Sequence, residues 1–315
     1  MKDNNVKFEN VIDQVHTMSQ DNYDEIVPVR DIEFTSLDTA TVAGKPVTIT
    51  PTCQKFISSR LRIPYSYLYR CDADLQQANL NFWLEREQAK RETFFCRFSG
   101  NNLRGLFTDR YIPLDNMEVL SRMLQCGFDP NAEVHVLLDS EIMTLKFPDN
   151  DRYFKVSEKD RIIPGISISN SEIGLLALSI EAYYFRLVCS NGLIDKTEVN
   201  ARYKHISRRI MDDFPEVLQN VVYQSRQGQD RFMLSTQTPV DNPISSIELF
   251  SRQFQLPQEE TEIVKMAYFK EEGATPTMYH VINAFTRAAR EPGLTAVTAQ
   301  RLESIGGRVL NMVKR

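Results

Sequence analysis

The chain of 315 residues has little of what marks membrane, secreted or low-complexity proteins. It contains no run of about eighteen apolar residues, the length that a transmembrane helix needs. Its first residues are too polar for a secretory signal peptide, and 12 glycines and 14 prolines are too few for a low-complexity chain. With 42% hydrophobic and 25% charged residues, the composition is typical of a soluble globular protein that builds its own core.

Cysteine and histidine are also scarce. The five cysteines include no Cys-x-x-Cys pair, and the four histidines lie far apart in the chain. A zinc site normally shows at least one close pair of ligands. We therefore expect no metal and no cofactor, and we interpret the cysteines as reduced thiols of a cytoplasmic protein.

Common catalytic and nucleotide-binding motifs are absent. There is no GxxxxGK[ST] phosphate loop and no GxGxxG, GxSxG or HExxH motif. Two enzyme alternatives stay open: a metal-dependent nuclease that uses Asp149 and Asp151, and a Cys–His nucleophile at Cys189. The acidic pair lacks a Glu-x-Lys companion, and no histidine has a sequence context that marks it as the base. The missing Glu-x-Lys companion and the missing histidine base favour a non-enzymatic protein.

Acidic residues are concentrated at the start of the chain. Residues 1–40 carry nine acidic and three basic side chains, whereas the remaining residues carry 33 acidic and 34 basic ones. The net charge of −5 therefore comes from the first 40 residues. Local basic clusters, and with them nucleic-acid binding, are compatible with this total.

The apolar pattern predicts an α+β fold with a central antiparallel sheet. Residues 1–25 are a polar acidic leader, predicted to be either disordered or one short helix. Residues 26–227 are predicted to form a mixed core domain with hairpins and an N-terminal helical segment, and residues 243–315 a helical subdomain. The polar segment 228–242 is the best candidate for a boundary. Within the core domain, residues 161–194 predict three strands, separated at Asn-Ser-Glu and at Glu-Ala.

A helix is predicted over residues 73–91, with Asp72 as its N-cap. Its apolar side is expected to consist of Leu75, Leu80, Phe82, Trp83 and Leu84.

A predicted β-hairpin over residues 92–113 combines basic and aromatic side chains. From Arg86 to Arg110 there are six basic and three acidic residues. Arginines that contact phosphates and rings that stack on bases are typical of single-stranded nucleic-acid binding. The candidate binding residues of this segment are Arg97, Arg104, Arg110 and Tyr111. Core packing explains most of the hairpin's phenylalanines equally well.

A second basic cluster stands near the start of a helix predicted from about residue 206. Lys204, Arg208 and Arg209 precede the acidic residues of that helix. This order opposes the helix dipole, so it slightly favours a binding role over a stabilising one.

Four short motifs occur in a characteristic order. They are Thr108-Asp109-Arg110-Tyr111, Asn170-Ser171-Glu172-Ile173-Gly174, Arg186-Leu187-Val188-Cys189-Ser190-Asn191-Gly192 and Asn283-Ala284-Phe285-Thr286. They follow the segment Cys53–Cys71, an apolar helix followed by Ile63-Pro64 and aromatic residues. Through this segment and the four motifs, the chain from about residue 47 to residue 290 resembles the phage/plasmid-like family of unknown function found in bacterial mobile elements. The resemblance implies a setting in DNA replication, recombination or maintenance of such elements, and no activity.

Most matched residues also have a structural interpretation. Asp109 is expected to clamp the turn after the hairpin, and Asn170 and Glu172 to satisfy a connection between strands. Gly174 is expected to need a positive φ. Arg186 needs a carboxylate partner if it faces inward, with Glu172 or Glu181 as candidates. Asn191-Gly192 is a typical tight-turn pair.

The leading hypothesis is a non-enzymatic protein of a mobile element that binds, and possibly anneals, single-stranded DNA as an oligomer. The alternatives are the nuclease and a protein-interaction module that acts on host or plasmid machinery through its acidic first 40 residues. A continuous positive groove through Arg97, Arg104 and Arg110 would favour the leading hypothesis. Burial of these arginines in ion pairs would reject the leading hypothesis.

Overall fold

The structure is a computed structural model that describes residues 4–156, 161–186, 191–195, 209–225, 228–270 and 276–313. The fold is α+β, as predicted. The strands are β1 (Asn4–Lys7), β2 (Asn22–Pro28), β3 (Ile32–Phe34), β4 (Thr39–Val42), β5 (Lys45–Ile49), β6 (Thr93–Ser99), β7 (Asn102–Phe107), β8 (Glu133–Leu138), β9 (Met143–Pro148), β10 (Phe154–Lys155), β11 (Arg161–Asn170), β12 (Ser179–Arg186) and β13 (Asn191–Asp195). The helices are α1 (Phe8–Ser19), α2 (Pro51–Arg60), α3 (Tyr65–Leu68), α4 (Ala73–Gln88), α5 (Asn116–Gln125), α6 (Arg209–Ser225), α7 (Gln229–Gln237), α8 (Pro243–Gln253), α9 (Gln258–Phe269), α10 (Met278–Ala288) and α11 (Ala296–Met312). Among these described helices, none has the length and apolar character needed to cross a membrane.

The chain divides into two compact units. Asp13–Pro113 forms one, the insert unit, and Met1–Ile12 together with Leu114–Arg315 forms the other, the main unit. This division differs from the predicted one because β1 pairs antiparallel with β8, so the first residues belong with those beyond 114.

The described part of the expected leader has regular structure. Residues 4–25 contain β1, α1 and the start of β2. Phe8 and Val11 are one helical turn apart on α1, and both are buried. The acidic residues around them occupy the other sides of the helix, so the overall polarity of the segment concealed its amphipathic pattern.

The insert unit is a six-stranded sheet covered on one face by helices. Its strand order is β2-β6-β7-β5-β4-β3, and all neighbours are antiparallel except the parallel pair β5–β7. The hairpin β6–β7 was predicted, and in the structure its turn lies at Gly100-Asn101. Phe94, Cys96 and Phe98 of β6 belong to the core cluster, together with Leu80 and Leu84 of α4.

The main unit contains a seven-stranded antiparallel sheet in the order β1-β8-β9-β11-β12-β13, with β10 paired to β11. One face is apolar, with Val136, Leu145, Ile168 and Ile180 side by side. The opposite face carries a polar row formed by His135, Lys146, Ser167 and Glu181. We call this opposite face of the sheet the polar face.

The sheet of the main unit is strongly curled. His135 of β8 and Phe185 of β12 lie three strand spacings apart, about 14 Å in a flat sheet. Their ring centroids are nevertheless 4.7 Å apart. The side chains of the polar face therefore converge.

Three predicted boundaries differ from the structure. Glu181-Ala182 was expected to separate two strands but lies inside β12. Asn191-Gly192 was expected to form a tight turn but instead begins β13, opposite Arg186 and Phe185. The predicted linker 228–242 contains α7, where Phe232 is buried. In each case tertiary pairing or packing overrode the local sequence signal.

Candidate nucleic-acid interface

The strand register determines the environment of Arg97. Asp24 of β2 is its direct cross-strand partner. Arg97 Nε donates to Asp24 Oδ1 at 2.8 Å, and a terminal guanidinium nitrogen donates to Asp24 Oδ2 at 3.1 Å. The Arg97 side chain is only 2% exposed. It therefore forms a two-point structural ion pair and presents no charge to a ligand.

Arg104 is also buried, within β7. Two of the three arginines of the expected groove thus lie below the surface. The hairpin forms as predicted, but it does not present a continuous basic groove through Arg97, Arg104 and Arg110.

Arg110 and Tyr111 follow the hairpin and remain accessible. Arg110 is exposed, and Tyr111 is half-buried. The Tyr111 ring stacks on Phe107 with centroids 3.9 Å apart and planes 11° apart. Asp109 is exposed, and within the described residues it makes neither a hydrogen bond nor an ion pair, so the expected clamp is not formed. The backbone bond from Tyr111 N to Thr108 O closes the turn instead.

An exposed aromatic and basic surface of the insert unit lies on α4. Leu75, Phe82 and Trp83 are 45%, 49% and 42% exposed. The guanidinium of Arg86 lies 3.4 Å from the centroid of the Phe82 ring and 5.5 Å from that of Trp83. These four residues, Leu75, Phe82, Trp83 and Arg86, are named here the α4 surface.

This surface corrects the prediction for the helix. Leu80 and Leu84 are buried as expected, whereas Leu75, Phe82 and Trp83 face outward. At about 100° per residue, positions 75, 82 and 86 project to one side of the helix and positions 80, 84 and 87 to roughly the opposite side. The helix has two apolar sides, and treating them as one concealed the exposed side.

Glu87 forms ion pairs with the two basic residues that follow the α4 surface in the chain, Lys90 and Arg91. Its carboxylate accepts from Lys90 at 2.7 Å and from Arg91 at 3.0 Å. Burial alone would raise the pKa of Glu87, but the hydrogen bond and charge of Lys90, with the charge of Arg91, lower it below its ordinary value. Glu87 is therefore ionised at neutral pH and offsets part of this positive charge.

The second basic cluster is only partly described. Lys204 and Arg208 lie outside the described residues. Arg209 begins α6 and forms an exposed ion pair with Asp213 at 3.3 Å. One helical turn separates them, so this pair is a surface contact of small energetic weight.

Asn170 and Glu172 hold the start of α5. Asn170 donates to Leu114 O at 3.0 Å and to Asn116 Oδ1 at 2.9 Å, and Glu172 Oε1 accepts from the Asn116 backbone N at 2.9 Å. The partner of Glu172 is thus a helix N-terminus, where a carboxylate is favourable. The side chain of Arg186 lies outside the described residues. Gly174 has φ +77°, as expected.

Among the described residues, those of the nuclease alternative do not form a metal site. Asp149 forms an ion pair with Arg152 at 3.4 Å, and the described residues contain no group of three or more His, Cys, Asp or Glu that could hold a metal. Burial raises the pKa of the Cys96 thiol to about 12 and that of Cys53 higher still. Neither is a nucleophile at neutral pH. Cys189 lies outside the described residues.

The chain matches a protein family of unknown function. A family model described as "Domain of unknown function (DUF932)" matches residues 105–312, about two thirds of the chain. No curated protein and no solved structure matches. The matched segment contains the polar face, whereas the α4 surface lies before it.

Proposed function

Since the chain belongs to the DUF932 family, whose function is unknown, we propose its function from its own surface: it binds single-stranded nucleic acid and is not an enzyme. The observation that carries this proposal is the α4 surface, where an arginine stacks on one of two adjacent exposed rings. Every base has a face that stacks on an aromatic ring, so such a surface binds single strands with little sequence preference.

The chemistry of the α4 surface suits a strand better than a duplex. Phe82 and Trp83 offer rings to unstacked bases, and Arg86 offers a charge to a phosphate. Arg86 Nη1 also donates to Phe82 O at 3.0 Å, which fixes the guanidinium beside the rings. Bases in a duplex are already stacked on each other. We therefore expect single strands to bind more tightly than duplexes of the same length.

Trp83 supplies a direct test because it is the only tryptophan in the chain. Titration with a single-stranded oligonucleotide in about 50 mM salt should quench its fluorescence, because a base stacks on the indole. In fluorescence anisotropy with a labelled oligonucleotide, Trp83→Ala should weaken binding by about 1–3 kcal/mol, the typical contribution of one base–aromatic stack.

Tyr223→Ala is the matched control, since Tyr223 is an exposed aromatic residue of the main unit. It should leave both signals unchanged. Absence of oligonucleotide binding at this salt concentration would contradict the proposal. Capture of a protein through Trp83, with no oligonucleotide affinity, would assign the surface to the protein-interaction alternative instead.

The remaining parts of the proposal concern setting. The motif order supports a role in replication, recombination or maintenance of a phage- or plasmid-type element. We propose that the protein acts there in the cytoplasm and as an oligomer. Deleting residues 1–25 is a poor test of the acidic segment, because it removes β1 from the sheet of the main unit. Point substitutions of exposed acidic residues are the better choice.

A further inference from the structure

Several polar side chains at the polar face of the main unit are buried, and some of their polar atoms form no hydrogen bond to another described residue. Lys146, Ser167, Tyr183 and Glu303 each expose 1% of their surface or less. In the part of the chain that the structure describes, Ser167 Oγ, Tyr183 OH and Glu303 Oε2 lack a hydrogen-bond partner. Buried polar groups are almost always hydrogen-bonded, so three such atoms in one place require an explanation.

The side chains of the sheet form a set of donors. Ser167 is the direct cross-strand neighbour of Lys146, and Lys146 Nζ lies 5.5 Å from the centroid of the Tyr183 ring. Burial, and then the charge of Glu303, raise the pKa of Tyr183 well above its ordinary value, so the phenol keeps its proton. One ammonium and two hydroxyls thus share the polar face with the carboxylate of Glu181, the cross-strand neighbour of Ser167. The three donors suit an oxyanion as their ligand.

The carboxylate of Glu303 already lies beside the donor Lys146, where an oxyanion ligand would bind. Glu303 of α11 reaches the face and accepts from Lys146 Nζ through Oε1 at 2.5 Å. It leaves its second oxygen and both hydroxyls without a bond. A buried ion pair of this kind contributes little to stability compared with well-packed apolar residues, so stability alone does not explain it.

We propose that Lys146, Ser167 and Tyr183 form a phosphate-binding site that Glu303 occupies in this conformation. A phosphate group has enough acceptor oxygens to bond all three side chains, which the carboxylate does not do. Lys146 is almost completely buried, so the phosphate enters only when Glu303 withdraws. The phosphate belongs either to a free ion or nucleotide or to the backbone of a nucleic acid.

The test removes the competing charge. Inorganic phosphate, a nucleoside monophosphate and a short oligonucleotide are titrated by calorimetry into the wild type and Glu303→Gln, the oligonucleotide in a Trp83→Ala background. At least one probe should bind Glu303→Gln about tenfold more tightly, a difference of about 1.4 kcal/mol. The probe that gains most identifies the source of the phosphate. Equal affinities of all probes for both proteins would overturn the proposal.

Two further variants keep the test decisive if Glu303→Gln does not fold. Lys146→Met combined with Glu303→Leu replaces the ion pair by apolar side chains, which is often neutral or stabilising, and it should not bind phosphate. Ser167→Ala removes a hydroxyl that has no described bond to lose, so it should fold normally and bind phosphate about tenfold more weakly than the wild type. The site is rejected if neither the wild type nor Glu303→Gln binds phosphate, or if either of these two further variants binds phosphate like the wild type.

The proposals for the phosphate site and for the α4 surface can be rejected independently of each other. Trp83→Ala should leave the binding of inorganic phosphate unchanged, and Glu303→Gln should leave the quenching of Trp83 by an oligonucleotide intact. Loss of only one signal therefore identifies which of the two proposals is wrong.

Discussion

Two arginines of the insert unit show how the neighbours of a side chain decide its role. Arg97 stands opposite Asp24 in the sheet, and the ion pair satisfies its charge below the surface. Arg86 projects from α4 over the exposed Phe82 ring. In the sequence, both belong to the cluster of basic residues between Arg86 and Arg110. Only the cross-strand register, which pairs residues 73 positions apart, separates the structural arginine from the accessible one.

His135 makes the stability of the main unit depend on pH. Burial, and then the charge of Lys146, lower the pKa of this histidine below its ordinary value, against the opposing charges of Glu303 and Glu133. The unfolded chain, with a histidine pKa of about 6.5, then binds more protons than the folded one. The stabilisation from neutral His135 is complete above about pH 6.5 and is lost as the pH falls through the lower folded value.

Urea denaturation between about pH 5 and pH 8 measures this effect. His135→Phe keeps a ring against Phe185 but removes the titration, so its free energy of unfolding should depend less on pH in the acidic part of this range. His16→Asn, at an exposed position of α1, is the control and should keep the wild-type dependence. If His135→Phe keeps it as well, another group is responsible.

The elements that could be predicted are those whose signals are local. The hairpin β6–β7 follows from a Gly-Asn turn between two apolar runs, and α4 follows from the Asp72 cap, which accepts from Leu75 N at 2.9 Å. Its orientation could not be predicted, because it has apolar residues on two sides and only the fold selects which is buried. The pairing of β1 with β8 also escaped prediction, since more than a hundred residues separate the strands.

The start of α5 gives an element-scale prediction. Glu172 accepts from the first helical N–H, Asn116 N, while the N-cap residue Asp115 makes no capping bond. Glu172→Ala should therefore lower the free energy of unfolding by about 1–2 kcal/mol, the usual cost of losing a helix cap or leaving a buried N–H without a partner. Ser121→Ala, exposed on the same helix, should change it by less than about 0.5 kcal/mol. Equal effects in denaturant titrations would mean that Glu172 does not anchor the helix.

Across the whole molecule, the two proposed sites belong to different parts of the chain. The polar face lies within residues 105–312, the segment shared with the DUF932 family, whereas the α4 surface lies outside it. If both proposals hold, phosphate binding belongs to the segment that matches the family, and stacking of single strands belongs to the insert unit of this chain. The prediction for Glu303 therefore tests a property of the segment that matches the family, whereas the prediction for Trp83 tests a property of the insert unit.

The net charge of −5 determines how salt should affect oligonucleotide binding. The molecule as a whole repels a polyanion, and around the α4 surface Glu87 neutralises part of the charge of Lys90 and Arg91. Binding should therefore depend mainly on stacking, with about one to three phosphates neutralised. For single strands this corresponds to a slope of log K against log salt between about −0.7 and −2.

Anisotropy titrations at three or more salt concentrations give this slope. Arg86→Gln should make it shallower by about 0.7, the contribution of one phosphate, whereas Arg97→Gln should leave it unchanged if that variant folds, because Arg97 is already paired with Asp24. A wild-type slope steeper than about −4 would instead require a broad basic surface. Lys204 and Arg208, outside the described residues, would then be the first positions to substitute.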